Sequence, residues 1–175
     1  MINKEILKAY DQFLLQRGLE LAAIVVGGTA LNLLGYTSRQ TRDVDIIAPL
    51  LSVAAKQASI DFASTIPNLW EDWLNNGPSS LVDILPQGWE ERLQESFQGE
   101  ALVLHTLGRR DLLKTKLFAY CDRGTDLADC LAMQPSAVEL EDALAWVVKQ
   151  DGNELWPAHV QHTFADLAER LGHGT

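Results

Sequence analysis

The apolar run Leu21-Ala22-Ala23-Ile24-Val25-Val26 opens directly onto Gly27-Gly28-Thr29, and this junction constrains the fold more than any other part of the sequence. Six apolar residues bounded by turn chemistry predict a buried strand, and Ala30-Leu31-Asn32-Leu33-Leu34, closed by Gly35, predicts a short helix after it. A strand that passes through two glycines into a helix brings bare backbone and unpaired N–H groups to the end of a sheet. Glycine lets a phosphate approach the chain closely, and the helix start carries partial positive charge. Thr29 adds a hydroxyl that can also cap the helix. A Gly-Gly pair alone is more often a plain tight turn, so a second element is needed to give the junction meaning.

That element is Asp43-Val44-Asp45. Arg42 to Ala48 predicts the next strand, closed by Pro49. Side chains two apart in a strand face the same way, ~6.6 Å apart along the chain. Two carboxylates set among Val44, Ile46 and Ile47 repel one another in a low dielectric unless water or a cation relieves them. Mg²⁺ suits such a pair, because it takes one or two carboxylates and completes its shell with substrate phosphates. The plainer alternative is an edge strand with two solvated aspartates. A phosphate cradle followed by a two-carboxylate site is much rarer than either part by itself.

The rest of the chain predicts an α/β (α+β) fold. Residues 2–17 have helical apolar spacing and Gly18 as a stop, residues 51–65 form an alanine-rich helix before Pro67, and Leu81-Val82-Asp83-Ile84-Leu85 is a short strand before Pro86. Residues 89–98 stay open between helix and strand, and Ala101 to Leu104 predicts a further strand. Beyond Gly108 every segment predicts helix, roughly 109–121, 125–133, 136–149 and 157–171, with a capping box in Ser136 and Glu139 and with Pro157 in a first turn. The expected organisation is a small mixed-sheet core over residues 1–107, then a C-terminal helical region over 108–175.

Composition narrows the function classes. Fourteen Lys and Arg against 24 Asp and Glu give a net charge of −10, which argues against a broad nucleic-acid surface yet leaves cations enough to hold one nucleotide. Cys121 and Cys130 supply neither a zinc cluster nor a disulfide framework, as expected of a cytoplasmic protein. Charge appears too early in Met1-Ile2-Asn3-Lys4-Glu5-Ile6 for a signal peptide, and the longest apolar run is only strand-length, so no membrane partner is expected. No GxxxxGK[ST] loop and no nucleophile elbow occur. His159 and His162 lack a third ligand and read as surface residues, and Trp70, Trp73, Trp89, Trp146 and Trp156 read as core or interface packing.

Val26-Gly27-Gly28-Thr29-Ala30-Leu31, with Arg39, Thr41, Arg42 and Asp43-Val44-Asp45-Ile46-Ile47, resembles the signature of the DNA polymerase β-like nucleotidyltransferase superfamily, most of all small bacterial AbiEii-type toxins and related families. The likeness runs from about residue 20 to 48, with a weaker one over 109–133, and the spacer before Asp43 is slightly long beside familiar members. It implies a nucleotidyltransferase core in which Gly27, Gly28 and Thr29 grip the triphosphate of an NTP and Asp43 and Asp45 bind two Mg²⁺ ions. A third acid on a neighbouring strand is implied as well, for which Asp83 is the candidate; a solvent-facing Asp83 is the alternative.

The second stretch, Lys114-x-Lys116…Asp122-Arg123-x-x-Asp126-Leu127-x-Asp129, looks like the segment after the catalytic domain in AbiEii-like proteins. On that likeness Lys116, with Arg42, offsets transition-state charge; the alternative is an ion-pair network closing a helix–turn–helix. The implied reaction is transfer of a nucleotidyl group to tRNA, a protein or a small molecule, with an antitoxin as a possible partner protein. A degenerate, non-catalytic nucleotide-binding or protein-interaction module is the competing expectation.

Overall fold

The computed structural model describes residues 2–173, which form α1 (Lys4–Gln16), β1 (Leu21–Val26), α2 (Gly27–Leu33), β2 (Val44–Ala48), α3 (Val53–Thr65), β3 (Leu74–Asn75), β4 (Gln94–Gln98), β5 (Leu102–Thr106), α4 (Arg109–Arg123), α5 (Leu127–Met133), α6 (Ala137–Val147) and α7 (Trp156–Arg170). Two compact units divide the chain, one ending at Gly108 and one starting at Arg109.

The first unit is built on a mixed five-stranded sheet of order β3-β2-β1-β5-β4. Strand β1 runs antiparallel to β2 and parallel to β5, β2 is parallel to β3, and β4 is antiparallel to β5. Central placement explains why β1 is so apolar: Leu21, Ala23, Val25 and Val26 are buried. Helix α1 begins where the Asn3 side chain accepts from Ile6 N–H at 2.9 Å. It buries Leu7, Tyr10 and Leu14, with the Tyr10 ring 5.0 Å from Phe62 of α3 and 4.9 Å from Trp73. Asp11 on the same helix is buried, and its carboxylate accepts from the N–H groups of Ala101 (2.8 Å) and Leu102 (2.7 Å). That carboxylate pins α1 to the β4–β5 turn, at a point where Gly99 leaves no room for a Cβ.

The second unit is all helix. Ser136 and Glu139 form the expected capping box at the start of α6. Arg109 Nε donates to Glu139 at 2.6 Å, and Arg110 and Lys114 both pair with Asp142 at 2.8 Å, so α4 is tied to α6 by charge as well as packing. Among the described residues no helix is long and apolar enough to cross a membrane.

Three local expectations need correction. Leu81–Leu85 is not a strand: Ser79–Asp83 is a 3₁₀ turn in which Leu81 N–H bonds Pro78 and both Ile84 and Leu85 N–H bond Leu81. The position beside β2 is taken instead by the two-residue β3. Strand β2 begins at Val44, two residues later than expected, because the Asp43 carbonyl is occupied by the hydroxyls of Thr29 (2.6 Å) and Thr41 (3.3 Å). Trp70 is 64% exposed and is no core residue, whereas Trp73, at 1%, is.

Candidate active site at one end of the sheet

The strand directions bring the informative residues together. Because β1 and β2 are antiparallel, the C-terminal end of β1 lies beside the N-terminal end of β2, with Val26 opposite Asp45. Because β2 and β3 are parallel, the start of β3 lies at that same end, with Asp45 opposite Asn75. The glycine turn, the two aspartates and Asn75 therefore share one edge of the first unit.

Close approach confirms the convergence. Gly27 has φ +70°, in the left-handed region, and a Cβ built on it would sit 2.7 Å from Asp45 Oδ2. A Cβ on Gly28 would sit 3.2 Å from Thr41 Oγ1 and 3.9 Å from Arg39 Nη2. Gly27 demands glycine through its positive φ and the approach of Asp45, while at Gly28 the Arg39–Thr41 segment leaves only tight room for a side chain. Asp43 is exposed, and its Oδ1 accepts from the Thr41 hydroxyl at 3.2 Å. Asp45 is half-buried, and its Oδ1 accepts from Asn75 Nδ2 at 3.2 Å.

Thr29 is buried and donates its hydroxyl to the Asp43 carbonyl, so it fastens α2 to the segment entering β2. Arg42 is exposed, immediately before Asp43. Asn76 secures the far end of β2, donating to Ile46 and Pro49 carbonyls at 3.1 Å and accepting from Leu51 N–H at 2.8 Å.

A family model described as nucleotidyltransferase of unknown function (DUF6036) matches residues 4–138. The chain belongs to this nucleotidyltransferase family. No curated protein and no solved structure matches it. The matched residues take in the whole sheet, the glycine turn with both aspartates, and the helices as far as the start of α6.

Carboxylate oxygens at the end of β2 are of the type that Mg²⁺ takes together with phosphate oxygens. The Asp45 carboxylate lies where a Cβ on Gly27 would reach it, and a Mg²⁺ held by Asp43 and Asp45 would complete its shell with water and phosphate oxygens. Among the described residues no third acid is grouped with Asp43 and Asp45. Asp83 is exposed in the 3₁₀ turn, and across from Asp45 on the neighbouring strand stands the neutral Asn75. Among the described residues no group of three or more His, Cys, Asp or Glu side chains is arranged to hold a metal ion. Asn75 had no signal in the sequence, since a two-residue strand carries no periodicity to detect.

Lys116 lies in the second unit, 7% exposed, donating to Asp126 Oδ1 at 2.9 Å and Asp129 Oδ2 at 2.7 Å. Burial works to lower its pKa, but the hydrogen bonds to Asp129 and Asp126 and their charges outweigh it and hold the pKa above the usual lysine value. Burial likewise works to raise Asp126, and the Lys116 and Arg123 contacts more than reverse it, leaving that carboxyl lowered. This is the ion-pair network closing a helix–turn–helix: both acids flank one ammonium, and Arg123 adds a 2.9 Å bond to Asp126. Arg109 and Arg110 are likewise engaged with acids of their own unit. The rings of His159 and His162 sit on residues exposed to solvent.

Proposed function

We propose that this protein transfers a nucleotidyl group from a Mg²⁺-bound nucleoside triphosphate to an acceptor, with pyrophosphate leaving. The observation that carries the reading is the approach of Gly27 to the Asp45 carboxylate, which sets the glycine turn against the acidic strand. Gly27 and Gly28 present bare backbone to the triphosphate, helped by the N-terminal end of α2. Asp43 and Asp45 are the residues that would hold Mg²⁺, which when bound neutralises charge developing on the phosphates. Asn75 orients Asp45 through its amide, and Thr29 keeps the cradle and the acids in register. Arg42, exposed at the same edge, attracts the triphosphate and offsets its charge. Lys116 is held by Asp126 and Asp129 within the second unit.

The test is transfer of label from an NTP marked at the α-phosphate to tRNA, protein and small-molecule acceptors in turn. Asp43→Asn and Asp45→Asn each abolish transfer if the acids do this work, and full activity in either refutes the assignment. Growth arrest on expression, relieved by a co-expressed partner protein, would identify a toxin of a toxin–antitoxin pair. The neutral Asn75 opposite Asp45 favours a second reading, a member that binds Mg²⁺–NTP without turnover. Nucleotide binding with no label transfer to any acceptor selects it.

A further inference from the structure

We propose that Trp70 is the platform on which the base of the bound nucleotide stacks, with Glu71 and Asp72 favouring bases that carry an exocyclic amine. The inference rests on the nucleotide-site reading above and deepens it. Five consecutive residues, Asn68 to Asp72, line an open cleft of about 580 Å³, a size suited to a small-molecule ligand. Trp70 stands in it 64% exposed, three residues from the fully packed Trp73. A large indole face left in water is a poor contributor to folding and a good one to binding a flat ring.

The cleft is lined by none of Gly27, Asp43 and Asp45, but it adjoins the strand that pairs with β2. Residues 68–72 run directly into the start of β3, and β3 is parallel to β2, so the cleft flanks the strand end that carries Asp43 and Asp45. Backbone bonds lock it there: Val44 N–H donates to the Trp73 carbonyl and Trp73 N–H to the Trp70 carbonyl. The Asn75 amide then bridges the two features, donating to Asp45 Oδ1 at 3.2 Å and to the Asp72 carbonyl at 3.4 Å. A nucleotide with its phosphates at Gly27 and its metal at the acids has its base directed to one side or the other of β2, and this side offers an aromatic face.

Every base has a π-face, so stacking alone is tolerant of sequence. Selectivity comes from Glu71 and Asp72, since carboxylates accept hydrogen bonds from base amines. Adenine, cytosine and guanine carry one. Uracil presents carbonyl oxygens there, which two carboxylates repel.

Equilibrium binding of ATP, CTP, GTP, UTP and inorganic tripolyphosphate, each with Mg²⁺, to the full chain and to Trp70→Ala and Trp70→Phe tests this. Trp70→Ala should weaken the nucleotides roughly 5- to 100-fold and leave tripolyphosphate unchanged. Trp70→Phe should recover most of the loss, and the unaltered chain should bind UTP most weakly. Nucleotide affinity unchanged in Trp70→Ala, with tripolyphosphate still bound, overturns the stacking role and spares the triphosphate site. Equal weakening of nucleotides and tripolyphosphate also overturns it, because the loss is then not at the base. No binding of any of the five by the unaltered chain overturns both.

Discussion

Gly27→Ala separates the demands of backbone conformation from those of the site. At φ +70° an alanine pays roughly 1–2 kcal/mol for the left-handed region. Its Cβ also arrives 2.7 Å from Asp45 Oδ2, inside van der Waals contact, so the carboxylate must swing away and release the 3.2 Å bond from Asn75. That bond is half-exposed and worth about 1 kcal/mol. The expected loss of stability is therefore about 2–3 kcal/mol, with Tm falling by roughly 2–4 °C per kcal/mol for a chain of this length. Gly18→Ala is the control, because Gly18 has φ +63° with nothing within 4 Å of its Cβ and pays only the backbone cost. Urea unfolding of both variants should show Gly27→Ala the less stable by about 1 kcal/mol. Calorimetry with Mg²⁺–ATP should show affinity reduced at least ~10-fold in Gly27→Ala and unchanged in Gly18→Ala. Two variants that match in both stability and affinity would mean that the turn does not press on Asp45, and the reasoning fails.

Asp11→Ala strands the N–H groups of Ala101 and Leu102 and should cost about 1–3 kcal/mol in chemical denaturation at neutral pH. Burial works to raise the Asp11 carboxyl, but these donors and Glu100 N–H leave it below the ordinary 3.8, so its stabilisation is full above that pH and the deficit of the variant shrinks as pH falls through the lowered native value. Lys116→Met leaves Asp126 and Asp129 without their shared cation and should destabilise the helical unit by about 3–5 kcal/mol, read as loss of helix by circular dichroism at lower urea. Glu139, held down to about 2 chiefly by the Arg109 hydrogen bond, has a side chain one-third exposed; Glu139→Gln should cost at most ~1 kcal/mol, a difference present above pH 4.5 and gone as pH drops through about 2. Burial pushes the Cys121 thiol up to about 11 and the Cys130 thiol to about 12, so a thiol reagent at mildly alkaline pH should label neither until denaturant is added.

What the sequence disclosed follows the length of its signals. Strand β1 is legible because an unbroken run of six apolar residues stands between Glu20 and Gly27, and α1 because its buried Leu7, Tyr10 and Leu14 keep a helical period. The capping box at Ser136 and Glu139 marked α6 directly. Strand β3 was not legible, since two residues hold no pattern and its place depends on Val44 N–H finding the Trp73 carbonyl. The apolar residues around Asp83 in 81–85 predict a short strand, but the segment lies between Pro78 and Pro86 and β3 fills the sheet position beside β2.

The candidate site divides in the same way. Gly27, Gly28, Asp43 and Asp45 announced themselves by residue type and order. Asn75 and the exposed Trp70 depend on tertiary neighbours and give no local sign. The Lys116 cluster was visible as spacing, but only burial shows that Asp126 and Asp129 both turn onto the lysine.

The claim that matters most is that the glycine turn and the two aspartates make one pocket for a metal-bound triphosphate. Titration of tripolyphosphate into the full chain by calorimetry, with Mg²⁺ and then with a chelator, addresses it at once when repeated on Asp45→Asn. Binding that needs Mg²⁺ and disappears in the variant, with the variant still folded, is the expected result. Binding that survives both the chelator and the substitution would show that the acids and the turn do not act together.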